Sequence, residues 1–125
     1  MRMARLRGLE VWLAPLILMA LIFLLSAQPS LNSGLGLADQ IGRKVVHFAE
    51  YALLAFLWWR ALATRMSPRT ATLVALAIAS AYAATDELHQ TFVHGRHGTP
   101  VDWLNDTAGA TFAMVRVRRR LRTPA

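Results

Sequence analysis

Three short segments carry the side chains able to do chemistry: KVVHFAEY at 44–51, DELHQ at 86–90 and DWLND at 102–106. At about 100° per residue in a helix, Lys44, His47 and Tyr51 fall on one stripe. Asp86 and Gln90 share a second, with Glu87 a step round, and Asp102, Asn105 and Gly109 make a third. His47, Asp86, Glu87 and Asp102 are the candidate catalytic residues, because imidazole and carboxylate are acid–base groups whose proton affinity shifts readily at low dielectric. Lys44, Tyr51, Gln90, Arg96 and Asn105 are the candidate ligand-binding residues. Arg96 would grip phosphate or carboxylate with its planar fork and Lys44 as a point charge, while Tyr51, Gln90 and Asn105 orient polar groups. The set Asp86, Glu87, Asp102 and His47 can also coordinate a divalent cation (Mg²⁺, Mn²⁺ or Zn²⁺) and bridge it to a phosphate, although no compact signature such as His-Glu-x-x-His is present.

The elements that position these groups are strongly apolar. Of 125 residues, 55% are hydrophobic, a length that fits a single domain over 1–125. Residues 11–27, VWLAPLILMALIFLLSA, carry no charge, and roughly 20 apolar residues cross a bilayer core. This run exceeds the signal-peptide core of roughly 7–15 residues, and a cut after Ala27 would put Leu25 where a small residue is preferred, so a retained helix is expected. Spans are predicted over about 9–27, 45–64, 70–90 and 101–117, the last the weakest because Asp102, Asn105 and Asp106 occupy its first turns. Helices are expected for all four, since a lipid-spanning segment must satisfy its own backbone. Residues 28–42, rich in Gly, Ser, Asn and Pro, read as the main loop. The fold class expected is therefore an all-α, membrane-embedded four-helix bundle.

The net charge of +7 does not point to nucleic acid, because the basic residues cluster at the ends of apolar runs rather than along one polar face. The expected partner is the lipid bilayer. Eleven Lys and Arg fall in the N-terminus, the 60–69 connection and the tail, against Arg43, Lys44 and Arg96 on the opposite side. The positive-inside rule then places both termini in the cytoplasm of a multi-pass cell-membrane protein. Trp12, Trp58 and Trp59 would lie at the cytoplasmic interface and Trp103 at the outer one. All three polar segments meet at the outer leaflet, with five of the seven acids and all four histidines. Ionisable groups at that depth are costly unless they face the bundle interior or water, and they mark a site. The absence of cysteine excludes disulfides and thiolate metal sites.

Order and spacing resemble the VanZ-like family of small bacterial membrane proteins. That family shows Lys-x-x-His with a Tyr four residues on, Asp-Glu-x-x-Gln, a Gly-Arg and Asp-x-x-Asn-x-x-x-Gly. Here these read KVVHFAEY, DELHQ, Gly95–Arg96 and DWLNDTAG, and SAQP at 26–29 resembles the family's segment after its first span. His94 stands where a proline commonly precedes the Gly-Arg, and Thr99 where a serine is usual. The resemblance implies a cell-envelope protein whose namesake is linked to teicoplanin resistance; it does not imply a known reaction.

Three functional readings follow from the residues. One is a site that binds or modifies the anionic head group of a lipid-linked envelope component, alone or with the divalent cation. Another is a small proton-coupled transporter or channel, although polar groups in the cytoplasmic half are limited to Ser80 and Thr85. The third is a scaffold whose polar groups only join helices, Lys44 pairing with Asp86 or Asp102 and Asn105 with Gln90. Among single residues, His89, His94 and His97 read as helix-end or loop residues, Glu50 lies off the Lys44 stripe, Asp106 reads as an interface residue and Tyr82 as bundle packing.

The cysteine-free sequence makes the orientation directly testable. Single cysteines at Ser33 and Thr99 should react with an impermeant maleimide added to intact cells, whereas cysteines at Ser67 and Thr123 should label only after permeabilisation. The reverse pattern would invert the bundle.

Overall fold

The computed structural model describes residues 2–27, 36–93 and 99–122, and these form four helices with no strand among the described residues. They are α1 (Arg2–Ser26), α2 (Leu37–Leu62), α3 (Pro68–Gln90) and α4 (Pro100–Arg122). Local chemistry sets their starts. At α3 the Ser67 hydroxyl accepts from the Thr70 N–H at 3.2 Å and Pro68 opens the helix, where its missing N–H costs nothing. At α4 the Thr99 hydroxyl accepts from the Asp102 N–H at 3.1 Å and Pro100 follows. Helix α2 begins at Leu37, earlier than expected, so 37–42 is helix rather than loop. Its start is set by Gly36, whose φ of 59° is a backbone turn that glycine adopts without steric cost, and Asp39 sits in the favourable first turn.

Helices α1, α2 and α3 are long and apolar enough to cross a membrane. Helix α4, with 23 residues, matches α3 in length, but its acids at one end and arginines at the other lower its mean hydropathy. Leu9, Leu13, Leu16, Ile17 and Leu21 of α1 are all exposed, the pattern of a helix that faces lipid on most of its circumference. Its inward stripe, Trp12, Pro15, Met19, Ile22 and Ser26, has helical spacing and packs on α2 and α3.

The core belongs to α2, α3 and α4. Ala71, Ala75, Ala79 and Ala83 form a fully buried i, i+4 stripe along α3, and small residues let backbones approach closely. Gly109 does the same between α4 and α2: a Cβ built there would collide with the Phe48 carbonyl. The Asn105 Nδ2 donates to the Lys44 carbonyl at 2.9 Å one turn away. These two contacts share one sequence offset, so α2 and α4 run parallel in a fixed register. Helix α3 runs antiparallel to both and is tied to α4 by Trp103 Nε1 donating to the Ser80 carbonyl at 3.0 Å and by the Ser80 and Thr107 hydroxyls at 3.1 Å.

At the end away from the polar segments, Trp12 and Trp58 meet edge to face with centroids 6.3 Å apart, and Arg60 pairs with Glu10 at 2.5 Å. The Trp59 indole donates to the Pro68 carbonyl at 3.0 Å, and Arg118 Nε to the Thr72 hydroxyl at 3.1 Å.

Gly109→Ala should destabilise the bundle by about 1–3 kcal/mol, the usual cost of overpacking. Gly42→Ala, at an exposed helical position where a Cβ meets nothing within 4 Å, should be neutral or stabilising. Denaturant unfolding in detergent micelles distinguishes the two.

Candidate functional site

Each buried stripe changes character at the same end of the bundle. On α3 the alanine stripe gives way to Asp86, Glu87 and Gln90, which remain 4%, 7% and 5% exposed. On α2 the stripe of Leu54 and Tyr51 continues to His47, and on α4 that of Val117, Met114 and Ala110 ends on Asp106, which is 0% exposed. His47, Asp86, Glu87 and Asp106 each present one nitrogen or oxygen such that all four atoms lie within 4.8 Å of one another. Three helices thus bring three carboxylates and an imidazole together out of solvent, at a spacing able to hold a cation.

Neighbouring groups fix these side chains while leaving acceptors open. The fully buried Tyr51 hydroxyl donates to Asp86 Oδ2 at 3.0 Å. The Thr99 N–H donates to Glu87 Oε2 at 3.2 Å, so the residue that caps α4 also anchors an acid of α3. The His47 Nδ1 lies 3.3 Å from Asp106 Oδ1, near enough to pair charges but without hydrogen-bond geometry. Asp106 Oδ1 and Oδ2, Glu87 Oε1 and Gln90 Nε2 have no hydrogen-bond partner among the described residues. Most buried polar atoms are satisfied, so the three unpartnered carboxylate oxygens within this cluster call for an explanation.

Of the candidate catalytic residues, His47, Asp86 and Glu87 come together. Asp102 is half-buried in the first turn of α4, where a carboxylate complements the helix N-terminus, and Asp106 occupies the cluster. The two acids are one turn apart, about 6 Å along the axis. The α2–α4 register places Asp102 level with Ile41, whereas Asp106 comes level with the turn that holds His47. The sequence signal for Asp106 was its place on the stripe with Ala110, Met114 and Val117.

Of the candidate ligand-binding residues, Tyr51 and Gln90 are buried in the cluster or beside it on α3. Lys44 is exposed, with no described carboxylate within ion-pair distance, so a Lys44 pair with Asp86 or Asp102 does not join these helices. Asn105 bonds the Lys44 backbone rather than Gln90. Lys44 and Asn105 line an open groove of about 240 Å³ between α2 and α4, together with Ile41, Val45 and Phe48. Arg96, and with it His94 and His97, lies outside the described residues. His89 stacks on Phe23 with centroids 4.4 Å apart and ring planes 4° from parallel, while the Tyr82 hydroxyl donates to the Met19 carbonyl at 2.6 Å. Both attach α1 to the rest of the bundle. Glu50 is half-buried on α2 and stands outside the four-residue cluster.

Against known proteins, a family model described as VanZ/LLP1 matches residues 11–120, which contain every residue of the cluster and of the groove. No curated protein and no solved structure matches.

The bond from Tyr51 to Asp86 is the most isolated test of how the site is held. Tyr51→Phe keeps the ring but removes the donor, and hydrogen bonds to charged groups contribute about 1.5–3 kcal/mol. A loss of that size is expected in detergent unfolding, and an unchanged stability would mean that the carboxylate finds another donor.

Proposed function

This chain belongs to the VanZ/LLP1 family and is a membrane protein, and we propose that its polar end recognises the anionic head group of a lipid-linked cell-envelope component. In this reading the bundle crosses the cell membrane several times, both termini are cytoplasmic and the polar end faces the outer leaflet. The proposal covers binding, with chemical modification of the head group a further step available to His47, Asp86 and Glu87. Altered handling of such a component would connect the protein to glycopeptide susceptibility, teicoplanin included.

The observation that carries the reading is the groove between α2 and α4. Its walls of Ile41, Val45 and Phe48 suit a length of hydrocarbon chain, and Lys44 and Asn105 stand beside it as a cation and an amide. A lipid tail leaves the bilayer for such a groove at little cost, and the lysine meets the phosphate or carboxylate at its head. Arg96 carries the second positive charge in this assignment. Asp102, one helical turn before Asn105, would accept from hydroxyl groups of the ligand.

Recognition fits the bundle better than conduction. Between the Ser80–Thr107 pair and the Thr72–Arg118 pair, the buried residues of α3 and α4 are Ala75, Ala79, Gly109, Ala110, Met114 and Val117. A proton or solute path needs polar groups through its full depth, and this stretch is apolar.

The test is binding of a polyprenyl phosphate and of the matching neutral polyprenol to the purified protein in nanodiscs. The phosphate should bind more tightly, and Lys44→Gln should weaken it about 10-fold, the equivalent of one charge-assisted contact, without affecting the polyprenol. Equal affinity for both lipids would remove the anionic head group from the reading.

A further inference from the structure

The buried cluster has the wrong charge to hold an anion by itself. Asp86, Glu87 and Asp106 bring three carboxylates against one imidazole, and like charges this close, away from water, repel strongly. Fully ionised, they would need a counter-charge larger than a protonated histidine supplies. Among the described residues, the Asp106 oxygens and Glu87 Oε1 have no donor to take that place.

We propose that His47, Asp86, Glu87 and Asp106 form a binding site for one divalent first-row transition-metal ion, of the Mn²⁺ or Zn²⁺ class. The proposal stands on the cluster and does not depend on the lipid reading. One nitrogen and three carboxylate oxygens suit such an ion, whereas the all-oxygen sets preferred by Ca²⁺ and Mg²⁺ lack an imidazole. An ion about 2.1 Å from each ligand holds them ~3.4 Å apart in a tetrahedron and up to ~4.2 Å across an octahedron. Atoms already within 4.8 Å of one another need close in by only a fraction of an ångström per side chain.

The surrounding bonds have the form of a metal site's outer shell. Tyr51 holds Asp86 through Oδ2, and the Thr99 backbone holds Glu87 through Oε2, which leaves Glu87 Oε1 open. A carboxylate bonded on one oxygen and open on the other is oriented for coordination. Asp106, fully buried and with neither oxygen hydrogen-bonded to a described residue, is the second, independent observation that points to a ligand. The His47 Nδ1 beside Asp106 Oδ1 without a hydrogen bond fits two ligands converging on a third body.

The experiment uses the full chain, purified in detergent, stripped with chelator and free of added lipid. Mn²⁺ binding is followed by loss of its free-ion paramagnetic resonance signal, with Zn²⁺ as competitor. One Mn²⁺ per chain is expected, displaced by Zn²⁺, together with a rise in thermal midpoint on metal addition. Asp106→Asn and Glu87→Gln should each weaken Mn²⁺ at least ~10-fold and abolish the thermal shift. Tyr51→Phe, which keeps all four ligands, should weaken it by a comparable outer-shell factor of about 10. Wild-type protein that takes up neither ion overturns the proposal whatever the variants do. So does a folded Asp106→Asn protein with undiminished affinity, which would place the ion elsewhere. Because no lipid is present, failure here leaves the polyprenyl phosphate result to be judged separately.

Discussion

Everything at the polar end follows from holding three carboxylates and an imidazole inside an otherwise apolar bundle. Isolated ionised groups cannot be moved out of water without a cost of several kcal/mol each. The fold meets part of this constraint with contacts between elements: the Tyr51 hydroxyl of α2 on Asp86 of α3, the Thr99 backbone before α4 on Glu87 of α3, and His47 of α2 beside Asp106 of α4. No single helix contains a satisfied version of the cluster. These directional contacts favour one rotation of α2, α3 and α4 about their axes, a role that apolar contacts, being non-directional, fill poorly.

The apolar part makes that arrangement possible by bringing the backbones close. The alanine stripe of α3 and Gly109 of α4 remove side-chain bulk where the helices cross. Larger residues there would push the helices apart and separate the carboxylates from their donors. The same packing explains how α4, too charged to match the other helices in hydropathy, fits the bundle. Its Asp106 and Gly109 face inward, its arginines gather at the far end, and the intervening turns, from Ala110 to Val117, are mostly apolar. Helix α1 contributes differently. It touches the core through one narrow stripe and three further contacts, the Tyr82 bond, the Phe23–His89 stack and the Glu10–Arg60 pair, and leaves the rest of its apolar surface exposed.

Two adjoining regions of opposite character result. The outward groove offers a lysine, an amide and apolar walls; the inner cluster offers unpartnered acceptors. An anion suits the first and a cation the second. A metal ion in the cluster would turn a region that repels phosphate into one that attracts it, so the two proposals reinforce each other while resting on separate observations.

The sequence by itself determined the helices, the family resemblance and the gathering of acids and histidines at one end. These depend on hydropathy, on caps such as Ser67–Pro68 and Thr99–Pro100, and on helical spacing, all local properties. It also put His47, Asp86 and Glu87 on helix faces that continue apolar stripes, and burial of those stripes brings the three together. Only the tertiary structure put Asp106, rather than Asp102, beside His47, turned Lys44 outward, and stacked His89 on Phe23. Spacing fixes which residues share a face, but not the depth at which two helices align. That depth comes from the fit of Gly109 beneath the Phe48 carbonyl and of Asn105 on the Lys44 carbonyl, contacts between segments some sixty residues apart in the chain. A shift of four residues, about 6 Å, would have exchanged the two aspartates, and only contacts between helices oppose it.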